Sequence, residues 1–240
     1  MMDVRRKRLR VLVDAWGEIL SRNGKLSRED LVAILKEAYA DKGVEPVRGA
    51  ANPDDIYERD LIALYIVGVE GLGLGNEIPK EIMDLFSPER AYLEAADIAL
   101  NSDPENARSK IIELFGKIPD SAILSKIFRV ELLKYYYGFK KSDDMPRLIE
   151  NLSKAFPEEE ATFKRLSRFY IAIKVAEAII NGEVKNWVSK EAYKQAVAVK
   201  LGSPRAIPDD EYIAKIIATV FGLKPSKYSK ILRSENQKQG

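Results

Sequence analysis

The sequence contains no cysteine and no histidine among its 240 residues. Without cysteine there is no disulfide, no thiolate nucleophile and no cysteine-ligated zinc or iron–sulfur site. Without histidine there is no Ser-His-Asp triad, no imidazole general base and no histidine-ligated metal. The groups that remain available for catalysis or ligand binding are carboxylates, Lys, Arg, Tyr and backbone amides. The two absences therefore favour a binding protein over an enzyme, with no cofactor expected, although magnesium chemistry on carboxylates stays open.

Long apolar runs are also missing. The longest uncharged run, Leu61–Val69, spans nine residues, whereas a membrane-crossing helix needs about 20. The basic amino terminus has the flank of a signal peptide, but Asp14 interrupts its apolar part and no small-residue cleavage site follows. The sequence thus predicts a cytoplasmic protein with no membrane partner. Its wealth of Lys, Arg and Glu, with little Gln, is typical of a thermophilic host.

The prolines and the apolar spacing both indicate helices. Six of the eleven prolines directly precede an acidic residue, an arrangement that suits the first turn of a helix and its positive dipole end. Apolar residues then recur at steps of three and four, as in Leu166, Tyr170 and Ile173. The pattern predicts an all-α fold of roughly ten helices in one bundle-like domain, residues 1–240.

The two ends of the chain share an order of signals. Segments 5–70 and 162–224 contain the same features in the same order. Each begins with basic residues, continues with an apolar helix that ends at Asn-Gly, and then has a second helix that starts at Ser. The pattern Pro-Asp-Asp-x-Tyr follows in both. Helical proteins share start and stop signals, which is one explanation of the likeness. The other is a duplication, which predicts two superposable helical units. The residues leave both explanations open.

The glycine-rich stretch Tyr65–Glu77 invites comparison with a phosphate-binding loop. A dinucleotide fingerprint needs a strand before G-x-G-x-x-G and a helix after it. Counted from Gly71, the third glycine of that pattern is replaced by Asn76. A helix start, not a strand, precedes the glycines. The stretch therefore predicts the end of a buried helix near Gly71.

One pattern of acidic residues is compatible with a metal site. Asp55 and Glu58, then Glu81 and Asp84, are pairs three residues apart that would each share a helix face. Such pairs on facing helices can hold magnesium, and they resemble the motifs of all-helical nucleoside triphosphate pyrophosphohydrolases. The first pair opens with Asp, and a glycine turn interrupts the arrangement. A magnesium-dependent nucleotide hydrolase is accordingly the alternative function, and solvated helix faces are the structural explanation.

Charge is distributed unevenly along the chain. Residues 41–120 hold 8 basic and 17 acidic residues, whereas residues 161–240 hold 15 basic and 7 acidic ones. Clustered bases can neutralise phosphates, but they can also pair with the acidic middle of the chain or simply be solvated. The candidate nucleic-acid or anion contacts lie at the starts of the two related segments: Arg5, Arg6, Arg8, Arg10, Lys164, Arg165 and Arg168.

A further mixture of aromatic and basic residues occupies Arg129–Lys141. Stacking platforms for single-stranded nucleic acid have this composition. The same residues also make an ordinary core stripe that ends at Gly138. We expect the core role for them.

Two stretches resemble an archaeal protein family of unknown function: PVRGAANPDDIYERDLIALY from Pro46 and FPEEEATFKRLSRFYIAIKVAEAIINGEV from Phe156. The resemblance covers most of the chain and implies no activity. Taken together, the residues predict an all-helical interaction protein whose basic ends meet nucleic acid or an acidic protein partner. The alternatives are the hydrolase and a structural scaffold or oligomerisation protein joined through an apolar patch. The sequence does not determine the oligomeric state.

Overall fold

A computed structural model describes residues 2–48, 56–184, 191–192 and 207–232. Within these ranges the chain contains helices and no strand, which confirms the predicted all-α class. Eleven α-helices have both ends there: α1 (Met2–Ser21), α2 (Arg28–Lys42), α3 (Ile56–Ile66), α4 (Lys80–Leu85), α5 (Ser87–Asn101), α6 (Pro104–Phe115), α7 (Ser121–Tyr137), α8 (Met145–Ala155), α9 (Glu160–Ile180), α10 (Asp210–Thr219) and α11 (Ser229–Leu232).

Acidic caps define several helix starts. Asp103, Asp120 and Asp209 each accept a hydrogen bond from the backbone N–H three residues later, at 3.0, 2.9 and 2.8 Å. These bonds satisfy amides that have no partner inside the helix. They also lower the pKa of Asp103 and Asp120, because the backbone donors stabilise the charged carboxylate. The proline–acid pairs predicted helix starts at these places, and Pro104 lies in the first turn as expected. Pro119 and Pro208 instead precede the cap residue, so the prediction of proline in the first turn was wrong there.

Helix α7 lies at the centre of the fold. It packs against α3, α5, α8 and α9, and it also touches α1. Its side chains are therefore buried on more than one face, and they include Arg129, Glu131 and Lys134 beside the aliphatic residues. Because neighbours surround the helix, the Arg129–Lys141 stretch supplies core residues, as expected, rather than a fully open aromatic platform.

The helix before the glycine-rich stretch ends at Gly71, as the sequence predicted. Helix α3 passes into a π turn, Val67–Gly71, and then into a 3₁₀ turn, Leu74–Asn76. The indole Nε1 of Trp16 donates a 2.7 Å hydrogen bond to the carbonyl of Leu64. That carbonyl is the acceptor that the Gly68 amide would use in an α-helix. A π-type hydrogen bond lies further along the helix, from the amide of Leu72 to the carbonyl of Val67 at 2.8 Å.

We predict opposite effects for alanine at two helical glycines. A Cβ on Gly68 would lie 2.4 Å from Cε2 of Trp16, a ring that is 1% exposed, so Gly68→Ala should cost about 1–3 kcal/mol through overpacking. A Cβ on Gly17 meets nothing within 4 Å, so Gly17→Ala should add about 0.5–1 kcal/mol by restricting the unfolded chain. Urea unfolding of both variants measures the difference. Equal effects would contradict the assignment of Gly68 to close packing.

The predicted duplication involves residues on which the structure gives no description. Residues 49–55 of the first unit and 185–190 and 193–206 of the second lie outside the described ranges. The relation between the two units stays a prediction. In the described ranges, no helix is both long and apolar enough to span a membrane.

Candidate anion-binding surface and cleft

Arg8, one of the seven candidate basic residues, lies inside the protein. It is 3% exposed, and its guanidinium donates to the carbonyls of Glu45 at 2.7 Å and Thr219 at 3.1 Å, as well as to the carbonyl of Val220. It also donates to the hydroxyl of Tyr136 at 2.8 Å. These bonds join α1 to α7, to the end of α10 and to the segment after α2. Arg8 therefore holds helices together and does not present its charge to solvent.

The neighbouring arginines point elsewhere. Arg6 and Arg10 are exposed and, being four residues apart, lie on one face of α1. No acidic residue in the described part of the chain pairs with either of them. Arg5 is half-buried, and its guanidinium carbon lies 5.9 Å from the centroid of the Tyr136 ring. The start of α1 thus presents free positive charge on one side and a half-buried cation on another.

The basic residues of α9 are all engaged. Lys164 pairs with Glu160 at 2.6 Å, and Arg165 donates to the hydroxyls of Ser121 and Ser125. Arg168 pairs with Asp209 at 3.4 Å, and its guanidinium lies over the Tyr212 ring at 4.9 Å. These contacts connect the start of α9 to the starts of α7 and α10.

The structure does not bring the two basic groups together. Arg165 contacts the first turns of α7, whereas Arg8 contacts Tyr136 in its last turn. At 1.5 Å per residue, these contacts are separated by about 20 Å along the helix. The α9 group therefore does not extend the surface formed by Arg6 and Arg10.

Two exposed lysines from the carboxy-terminal part of the chain follow a segment that contacts Val4, which lies about half a helical turn away from Arg6 on α1. Val4 packs on Gly222 so closely that a Cβ there would lie 2.8 Å from Val4 Cγ1. Gly222, at φ +64°, turns the chain into the exposed Lys224 and Lys227, and the amide of Lys227 bonds the carbonyl of Lys224 at 3.2 Å. Only the fold brings this segment to α1. We call Arg6 and Arg10, which share one exposed side of α1, the basic face.

A cleft lies beside this face. Its volume is about 170 Å³, and its apolar wall is formed by Leu132, Ile173 and Phe221. Tyr135 and Tyr136 add aromatic rings, and Arg5 and Glu177 add one charge of each sign. Three helices and the segment after α10 contribute, so the cleft exists only in the folded chain.

A chain of polar contacts fixes the aromatic side of the cleft. The hydroxyl of Tyr135 donates to Glu177 Oε2 at 2.9 Å and accepts from Lys174 at 3.0 Å. Lys174 also pairs with Glu177 and with Asp143, at 3.1 and 3.4 Å. Burial would lower the pKa of Lys174, but the bond to Tyr135 and the charge of Glu177 outweigh it and raise that pKa. Burial is also the main cause that raises the pKa of Tyr135. Both groups therefore hold their protons at neutral pH.

Three of the four candidate magnesium ligands lie within the described residues, so the complete site stays a prediction. Asp55 lies outside the described residues, and Glu81 and Asp84 are exposed on the short α4. Glu58 hydrogen-bonds the guanidinium of Arg28, which also pairs with Glu89 at 2.9 Å. The bond to Glu89 is the leading cause that raises the pKa of Arg28. Across residues 2–48, 56–184, 191–192 and 207–232, no three acidic side chains converge where a metal ion could bind.

Fold and surface together define an all-helical protein with a basic face next to a small amphiphilic cleft. The chain belongs to a family described as an uncharacterized protein conserved in archaea (DUF2192), whose family model matches residues 2–232. This finding confirms the family resemblance seen in the sequence. No curated protein and no solved structure matches the chain.

Proposed function

We propose that this protein binds the phosphate backbone of nucleic acid through the basic face. The observation that supports the proposal is the contrast between the two basic groups. In α9, Lys164 and Arg168 pair with acidic residues and Arg165 donates to two serine hydroxyls, whereas Arg6 and Arg10 make neither an ion pair nor a side-chain hydrogen bond with any described residue. Unpaired, solvated cations release counterions when they meet phosphates, which is the main source of sequence-independent affinity.

The expected contacts are few and electrostatic. Arg6 and Arg10 lie one helical turn apart on the same side of α1. The guanidinium of arginine can donate two hydrogen bonds to the oxygens of one phosphate. Such contacts fix the position of a strand without reading its sequence. Binding through this face alone should therefore be of moderate strength and strongly dependent on salt.

We expect the variant Arg6→Glu/Arg10→Glu to bind nucleic acid at least tenfold more weakly than the unmodified protein. Each reversal removes one phosphate contact, so the slope of log affinity against log salt should fall by about 2. Fluorescence polarisation with labelled single-stranded RNA and duplex DNA, at about 50 and 200 mM salt, measures both quantities.

The matched control reverses two exposed lysines elsewhere, Lys36→Glu/Lys80→Glu, and so changes the net charge by the same amount. If both double variants weaken binding equally, overall charge is responsible and the basic face has no special role. If the unmodified protein binds neither probe at low salt, the proposal fails. In that case an acidic protein partner for the same face becomes the hypothesis to test.

The proposed setting is the cytoplasm of a heat-adapted archaeon. The family is archaeal, and the composition is rich in Lys, Arg and Glu. Networks of ion pairs support the same proposal, since their desolvation cost falls as temperature rises. One network links Glu131, Lys140 and Asp144 at 2.8 and 2.7 Å.

A further inference from the structure

The cleft beside the basic face has a cationic side chain, Arg5, on one side and an anionic one, Glu177, on the other. Arg5, half-buried, makes no hydrogen bond or ion pair with any described residue. Its guanidinium is held only by packing, over Tyr136 and against the backbone at Gly138, where a Cβ would lie 2.5 Å from Nη2. A partly desolvated guanidinium without an anion gains much from meeting one, because it attracts phosphate more strongly than a solvated cation does.

Glu177 supplies an acceptor on the other side. Its Oε2 atom already accepts from Tyr135 and from Lys174. Its Oε1 atom accepts from none of the described residues, and the residue lines the cleft. An ionised carboxylate can only accept hydrogen bonds. A group that faces Oε1 must therefore donate, as an amino group does and a carbonyl does not.

The size and walls of the cleft favour a small planar ring. Its volume, about 170 Å³, is close to the roughly 150 Å³ of an engineered cavity in another protein that binds benzene. One six-membered ring fits such a space. Tyr135 and Tyr136 provide aromatic rings, the kind of surface on which bases stack in single-strand sites, and Leu132 and Ile173 add aliphatic walls.

We infer that the cleft binds one cytosine nucleotide, with the base amino group on Glu177 and the phosphate on Arg5. This inference rests on the proposed function, because the basic face would carry the neighbouring phosphates of the same strand. It also goes further, since it makes the ligand single-stranded and gives it a base preference. Uracil places a carbonyl where cytosine places its amino group, and that carbonyl would oppose the carboxylate of Glu177.

The test compares two labelled RNA strands of equal length, oligo(C) and oligo(U), by fluorescence polarisation with the full chain. We expect oligo(C) to bind about tenfold more tightly than oligo(U). Duplex nucleic acid should show no corresponding preference for cytosine. In the Glu177→Gln variant the two strands should bind with equal affinity, because an amide can accept from the amino group of cytosine and can also donate to the carbonyl of uracil. Arg5→Gln should weaken oligo(C) binding about tenfold. Thermal unfolding of this variant checks that the fold around Tyr136 is retained.

Arg6→Gln is the matched control for Arg5→Gln. It removes an equal charge from the exposed face, so both strands should weaken together and the ratio should persist. Equal affinity of the unmodified protein for the two strands would overturn the inference. So would an unchanged ratio in Glu177→Gln. Either result leaves salt-dependent binding through the basic face intact, so the two proposals fail separately.

Titration with cytidine monophosphate and uridine monophosphate separates a free nucleotide from a nucleotide within a strand. A rise in melting temperature with the cytidine nucleotide alone, in the absence of strand binding, would support the cleft and reject the proposed function. Strand selectivity without that rise would show that the cleft needs the neighbouring phosphates. If neither the strands nor the mononucleotides bind, the inference is rejected.

Discussion

Asp60→Asn should lower the free energy of unfolding by about 3–5 kcal/mol, the cost of leaving a buried charge without its partner. Asp60 is fully buried, and its Oδ1 atom accepts from Arg129 Nη2 at 3.1 Å. Its Oδ2 atom accepts from the hydroxyl of Tyr39 at 2.6 Å. Burial raises the pKa of Asp60, and Arg129 opposes that rise. Asparagine keeps the shape of the side chain but removes the negative charge, so the guanidinium is left uncompensated.

The position of the pair explains why the effect should be large. Arg129 is 6% exposed and also donates to the carbonyl of Val47 at 2.8 Å. The pair therefore joins α3, α7 and the segment after α2 in the interior. Water cannot readily replace the lost carboxylate there, and the desolvation cost of the guanidinium remains.

Urea unfolding of a double-mutant cycle separates the ion pair from its surroundings. Asp60→Asn/Arg129→Met removes both charges and should recover much of the loss seen with Asp60→Asn alone. A single-variant cost below about 1 kcal/mol would show that the pair contributes no more than a surface ion pair. Failure of the double variant to recover would assign the cost to the Tyr39 bond and to packing.

Arg8→Met should cost about 3 kcal/mol or more, because it leaves several buried acceptors without a donor. Methionine retains the apolar stem of the side chain, so the loss reports mainly on the guanidinium. The carbonyls of Glu45, Thr219 and Val220 lose their side-chain donor. Since two of these lie at the end of α10, that end should open first.

Hydrogen exchange gives the local signature of Arg8. In Arg8→Met, amides in the last turn of α10 should exchange faster than those in α5, which Arg8 does not contact. Arg6→Met is the matched control on the same helix, and as an exposed substitution it should stay within about 0.5 kcal/mol. Equal stability of the two methionine variants would contradict the internal role of Arg8.

The contrast between Arg6 and Arg8 shows how far the sequence leads. Both belong to one basic run, and charge alone nominated both as phosphate contacts. Helical periodicity separates them, because Arg8 shares the face of α1 that carries Val11, Leu12 and Ala15 toward the core. Periodicity could thus have flagged Arg8 as inward-facing. Periodicity could not have identified the carbonyls of Thr219 and Val220 as the acceptors of Arg8, since they lie more than 200 residues away along the chain.

The cleft is a second feature that could not be predicted from the sequence. Arg5, Tyr135, Glu177 and Phe221 come from four separate segments. None of them forms a motif, because a motif needs a fixed spacing along the chain and these residues meet only across helices.

The sequence by itself determined the all-helical class, the presence of helix starts near the proline–acid pairs at Asp103, Asp120 and Asp209, and the helix end at Gly71. These features depend on capping and apolar spacing, which act over a few residues. The tertiary structure alone decided which groups accept the hydrogen bonds of Arg8, which partners the basic residues of α9 have and where the cleft lies. Those outcomes depend on helix packing, which brings distant residues together according to the fit of whole surfaces.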